Sequence, residues 1–94
     1  MAHGALMHDK VDDVAVVVQD VAAGDEVRAV TLEGEDVAAV KAVEDIPLGH
    51  KIAVRSMEEG KEVVKYGSTI GKAVEAITEG AHVHIHNLKS IRWA

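Results

Sequence analysis

The sequence contains no cysteine, no phenylalanine, one proline, one tyrosine and one tryptophan. Without cysteine there are no disulfide staples and no thiolate metal site. Two aromatics give no platform for stacking nucleic-acid bases, and the formal net charge of −6 argues further against unspecific nucleic-acid binding. No apolar run approaches the roughly 18 residues of a membrane helix. The opening MAHGALMHDK has neither a basic start nor a long apolar segment, so the cytoplasm is the expected location and no membrane partner is expected.

What the sequence does contain is valine. Sixteen Val and six Ile stand against four Leu. β-branched side chains are stiff at χ1 and suit a pleated, half-buried surface, so this composition predicts a small all-β domain. Ninety-four residues make a single domain, 1–94, with a small core. Charge is divided along the chain: residues 1–45 hold 11 acids and 3 bases, whereas residues 46–94 hold 5 acids and 7 bases. The mildly basic second half would attract a carboxylated small molecule, although an ordinary solvated surface accounts for the charge equally well.

After a short segment, Ala5 to His8, an acidic turn from Asp9 to Asp13 leads into VAVVVQ at residues 14–19. That run is apolar at nearly every position, as in a strand covered on both faces. A phrase then recurs four times: Val21-Ala-Ala-Gly24-Asp-Glu-Val27, Ile46-Pro-Leu-Gly49-His-Lys-Ile52, Met57-Glu-Glu-Gly60-Lys-Glu-Val63 and Ile77-Thr-Glu-Gly80-Ala-His-Val83. Each copy reads as an apolar anchor, a single turn whose glycine takes positive φ, and an apolar residue that starts a strand. The irregular spacing of the copies makes this a reused turn and excludes a solenoid. A hairpin is expected from Glu26–Leu32 and Asp36–Val43 around Glu33-Gly34-Glu35. Lys61–Tyr66 is expected to form a further strand, and residues 72–77 fit either a helical turn or a short strand.

The chemistry gathers near the end of the chain, where His82, His84 and His86 alternate with Val83 and Ile85 and Asn87 follows. On an extended strand alternate side chains share a face about 6.5–7 Å apart, so the imidazoles would line one side while Val83 and Ile85 face a core. Neutral imidazole is a good ligand for iron, zinc, nickel or copper. Because His82 and His86 would stand about 13 Å apart, a regular strand offers one metal only His82/His84 or His84/His86. His50, which shares a face with Ile52 and Val54, is an internal candidate for a further ligand, and a carboxylate supplied by a partner to the three-His set is another. The alternative is an edge strand whose imidazoles merely hydrogen-bond to their neighbours. Lys65-Tyr66-Gly67 with Ile70-Gly71 reads as a simple turn or as a loop offering N–H groups to an anion. Lys65 and Tyr66 are candidate proton donors. Trp93 suits a partner interface.

The stretch KYG…IG…I…G.HVH.HN resembles the N-terminal domain of the altronate and galactarate dehydratase family, which has the SAF-type β-clip fold. The resemblance runs upstream through DDVAVVVQDVAAGDEV and DIPLGHKIAV. HNLKSIRW is similar to the ending of members in which this domain is a separate small subunit, a group that includes the sulfolactate sulfo-lyase small subunit. The resemblance implies a small subunit of a two-subunit hydro-lyase, inactive alone, that removes water from a sugar acid to give a 2-keto-3-deoxy acid. It implies Fe2+ as cofactor, a hydroxy-acid substrate and a large catalytic subunit that supplies most of the site. On this basis His82, His84 and His50 are the expected metal ligands, and His84, His86, Lys65 and Tyr66 the expected catalytic groups. Asn87 and Gly67 are expected to contact substrate. A sulfo-lyase subunit and a non-catalytic module that binds a metal or a sugar acid are the alternatives, with self-association of the isolated chain left open.

Overall fold

The structure, a computed structural model of the chain, describes residues 3–8, 11–65, 68–84 and 87–90. The described residues form nine strands and no helix: β1 (His3–Met7), β2 (Val14–Val17), β3 (Glu26–Thr31), β4 (Asp36–Lys41), β5 (Lys51–Ala53), β6 (Glu62–Lys65), β7 (Ser68–Ala73), β8 (His82–Val83) and β9 (Leu88–Ser90). Six build one sheet in the order β4-β3-β1-β2-β5-β8, and three build a second in the order β6-β7-β9. Among the described residues no helix is long and apolar enough to cross a membrane.

The four repeated phrases set this architecture. In each, the residue after the glycine donates its N–H to the carbonyl three positions back: Asp25 to Ala22, His50 to Pro47, Lys61 to Glu58 and Ala81 to Thr78, at 2.9–3.0 Å. The glycines have φ between 86° and 94°, the left-handed value that the third position of such a turn requires. The turns also pair. Val21 and Ile46 exchange two backbone hydrogen bonds, and so do Met57 and Ile77. Side chains reinforce the pairs crosswise: Asp20 accepts from the Leu48 N–H, Asp45 from the Ala23 N–H and Ser56 from the Glu79 N–H.

Strand alternation divides the core in two. Ala15, Val17, Ile52 and Val54 join Val27, Ala29 and Val40 on one face of the large sheet. Val14, Ala53 and Val83 point the other way, onto Met57, Val63, Ala73 and Ile77. Asp13 stitches the two sheets together. It is 3% exposed, its N–H donates to the Val64 carbonyl, and its carboxylate accepts from the Val64 N–H and from Lys61 Nζ at 2.6 Å.

Four expectations are modified. Residues 5–7 lie in β1, a central strand of the large sheet, hydrogen-bonded to β2 on one side and parallel to β3 on the other. The run from Val14 is covered on both faces only at its start: Val18, which lies over Gly4, is half exposed. Residues 72–77 contain no helical turn, because Lys72 and Ala73 continue β7 and Ile77 bridges to Met57. Ile70-Gly71 is not a loop either, since Gly71 sits in β7 between Val63 and Ser90. A Cβ there would meet the Lys89 carbonyl and the Leu88 side chain, so this glycine serves close strand packing.

Gly80 and Gly34 separate two causes of glycine requirement. Both have positive φ (87° and 89°), but a Cβ on Gly80 would collide with the Lys41 carbonyl, whereas that on Gly34 would meet open space. Gly34→Ala should cost about 1–2 kcal/mol from backbone strain alone. Gly80→Ala adds an overpacking penalty and should cost roughly 3 kcal/mol or more. Urea denaturation of the two variants measures the difference, and equal losses would show that the Lys41 approach carries no cost.

Candidate metal centre

An imidazole distant in sequence, that of His50, meets those of His82 and His84 where β5 and β8 pair. The antiparallel register sets Lys51 opposite Val83 and Ile52 opposite His82. Extending it by one step puts His50 opposite His84, and their rings stack with centroids 4.3 Å apart. His82 shares the same face, its ring 5.5 Å from that of His84 and 5.0 Å from that of His50. His50 Nδ1 and His82 Nε2 lie 2.8 Å apart, within hydrogen-bond distance. All three rings are half-buried, and Val83 between His82 and His84 is fully buried.

Each histidine offers one nitrogen to a set whose members all lie within 4.8 Å of one another, and among the described residues no carboxylate joins it. Imidazole nitrogens at about 2.0–2.1 Å from a metal stand roughly 3.0–3.4 Å from each other. The set therefore fits a transition ion after small side-chain movements. Three neutral nitrogens suit Fe2+ or Zn2+ and leave the charge of a bound ion uncompensated. Such an ion would keep positions open for oxygen ligands.

Short-range features fix the geometry. His50 follows Gly49 directly and leaves the second turn, while His82 leaves the fourth turn two residues after Gly80. Regular strand ends at Val83, which is shorter than the alternation of residues 82–86 suggests. The reason lies in the next few residues, because the His84 carbonyl accepts from both the Asn87 and Leu88 N–H groups and turns the chain back. Asn87, 4% exposed, accepts from the His84 N–H at 3.0 Å and donates to the His82 carbonyl at 2.7 Å. Glu44, which sequence reasoning did not single out, accepts from the His82 N–H at 3.1 Å. Nothing in the local sequence around Glu44 signals this, since it depends on the loop after β4 meeting the fourth turn.

The other expected residues lie apart or beyond description. Lys65 lines a cleft with Leu6, Met7, His8, Val16 and Leu32, a wall to which none of the three histidines contributes. A second cleft, lined by Asp20, Val21, Ala22, Asp25, Asp45, Ile46 and Pro47, is also away from them. Its three aspartates accept backbone N–H bonds and serve as turn caps. His86, Tyr66, Gly67 and Trp93 lie outside the described residues.

Residues 3–91 match the altronate/galactarate dehydratase SAF domain. The chain belongs to that family. It is 38% identical over 89 residues to the (2R)-sulfolactate sulfo-lyase subunit alpha of Chromohalobacter salexigens, which covers 94% of this chain and 95% of that subunit. It is 36% identical over 81 residues to altronate dehydratase of Bacillus subtilis, covering 86% of this chain and 15% of that enzyme. Galactarate dehydratase (L-threo-forming) of Escherichia coli is 34% identical over 77 residues, covering 82% of this chain and 13% of that enzyme. The domain thus occurs both as nearly a whole subunit and as a small part of a much longer chain. Its relatives are lyase components.

Proposed function

We propose that this chain is the small component of a metal-assisted lyase, with His50, His82 and His84 holding a divalent ion, Fe2+ on the family resemblance, in a site shared with a larger subunit. The observation that carries this reading is the three-nitrogen cluster beside the edge strand, which no carboxylate joins among the described residues. A bound ion would supply Lewis acidity to the carboxylate and hydroxyl of a hydroxy acid. The reaction class is an elimination. A base removes the proton from the carbon beside the carboxylate, and the C–H electron pair becomes the new double bond. The leaving group departs from the next carbon with its own bonding pair, and the resulting enol tautomerises to a 2-keto acid.

Within this scheme the chain's own residues hold and orient. His50, His82 and His84 are occupied as ligands, so the proton acceptor comes from the larger subunit or from His86. A dehydratase of the altronate type expels water. A second reading, in which sulfite leaves from sulfolactate, is favoured by the match to 95% of the length of a sulfo-lyase subunit. Either way a larger partner completes the site, as the 15% share of altronate dehydratase that this chain spans suggests.

Two measurements test the proposal. The isolated chain should take up one Co2+ or Zn2+, and His84→Ala should weaken that binding more than about tenfold, since losing even a supporting partner of a ligand costs 10–100-fold. Lys65→Ala should leave the affinity unchanged. Absence of Co2+ and Zn2+ uptake by the isolated chain would remove the metal from the reading. Separately, the tagged chain recovered from its native cells should carry a stoichiometric larger protein. The eluate should release 2-keto acid from altronate or galactarate, or sulfite from sulfolactate. A chain that elutes alone and is inactive on all three would overturn the shared-site proposal.

A further inference from the structure

β8 is the outer strand of the six-stranded sheet, and an edge strand presents backbone groups that no neighbour satisfies. The Ala53 N–H donates to the Ala81 carbonyl, so the alternation of the antiparallel ladder turns the backbone groups of His82 away from β5. The His82 N–H is taken by Glu44. The His82 carbonyl and the His84 N–H are both taken by the side chain of Asn87.

The pattern at Asn87 has a specific meaning. In a parallel ladder, one residue donates its N–H to the carbonyl before the residue opposite it and accepts, at its own carbonyl, from the N–H after that residue. The Asn87 carboxamide does both across Val83: Nδ2 donates to His82 O at 2.7 Å, and Oδ1 accepts from His84 N at 3.0 Å. It behaves as a one-residue parallel strand added to the edge of β8. The residues it clamps, His82 and His84, are two of the three members of the imidazole cluster, and the amide is shielded from solvent, where competition by water is weak.

We infer that Asn87 is a positioning residue for the three-histidine site, its side-chain amide replacing a missing strand so that His82 and His84 present their imidazoles together on one face. This departs from the substrate-contact role expected of Asn87, because both ends of its amide are engaged with backbone. Only an amide of this length supplies a donor and an acceptor at the required spacing. Aspartate keeps the shape but has no donor when ionised, and it would set a carboxylate against the His82 carbonyl.

The test is Asn87→Asp in the full chain, with Asn87→Ser read in the same way if the aspartate variant does not fold. Two readouts are taken well below the melting temperature. Co2+ alone is the probe of the site, and this arm rests on the metal reading proposed above. Its affinity should fall at least about tenfold, with loss of intensity in the Co2+ visible spectrum. Hydrogen exchange and the imidazole NMR shifts form the second arm and need no metal. The His84 amide should lose protection, and the His82 and His84 ring resonances should move from their stacked positions. A variant that melts at lower temperature but keeps the wild-type Co2+ affinity and spectrum would assign Asn87 a merely structural role and overturn the inference. If the wild-type chain binds no Co2+, the metal reading fails by itself and the second arm decides. Unchanged His84 protection and ring shifts would then overturn the positioning role, and their loss would support it.

Discussion

The interaction on which this fold depends is the reciprocal pairing of glycine turns. A small domain without disulfides and almost without aromatics cannot rely on a large core to fix its strand directions. The chain uses backbone hydrogen bonds at the corners instead. Each turn closes on itself, and each glycine N–H reaches a carbonyl at or just beyond a strand end: Gly24 to Ala42, Gly49 to Val17, Gly60 to Ala73 and Gly80 to Ala53. The same turn therefore connects, terminates and cross-links strands. The valine-rich strands between corners can then be only two to six residues long.

The imidazole cluster follows from this arrangement. His50 and His82 each belong to a copy of the turn phrase, so their positions are set by the two most constrained parts of the chain. The second and fourth turns do not pair with each other, but the strands leaving them do. Antiparallel pairing of those strands brings His50 over His84, and the alternation of β8 adds His82 to the same face. A site built in this way is positioned by strand ends and corners, with little contribution from mobile connections. That favours preorganisation, since supporting hydrogen bonds hold ligand geometry before a ligand arrives.

How much of this was legible in the sequence depends on how local each feature is. The four phrases, the hairpin around Gly34 and the shared face of His50, Ile52 and Val54 rest on spacing within a few residues, and all appear in the structure. The meeting of His50 with His82 and His84 requires a pairing across 32 residues, which no local pattern encodes. Sequence reasoning could only name His50 as a candidate. β1 was missed as a strand because Gly4 and its neighbours carry a weak pattern, and its place between β2 and β3 is decided by long-range hydrogen bonds. Asn87 was recognisable as belonging to the histidine motif. Its contacts, however, depend on the chain reversing after His84, and a row of alternating histidines conceals that reversal.

The donor set also bears on why such a domain would work with a larger partner. On the proposed reading, three neutral nitrogens hold a divalent ion without lowering its charge, which favours capture of a carboxylated substrate and keeps the ion strongly electrophilic. Glu44 is already engaged at the His82 N–H and is not part of the donor set. An elimination also needs a base beside the substrate carbon and walls that exclude water from the enol. The cluster lies at the edge of a thin sheet, and neither described cleft includes it. On the proposed reading, a second surface closes over it. The long chains of the dehydratase relatives, of which this domain spans 13–15%, are where such a surface would be found. On that reading the division of labour is physical: a small domain presents a cation site positioned by strand ends and corners, and the larger component supplies the enclosure, with the proton acceptor coming from it or from His86.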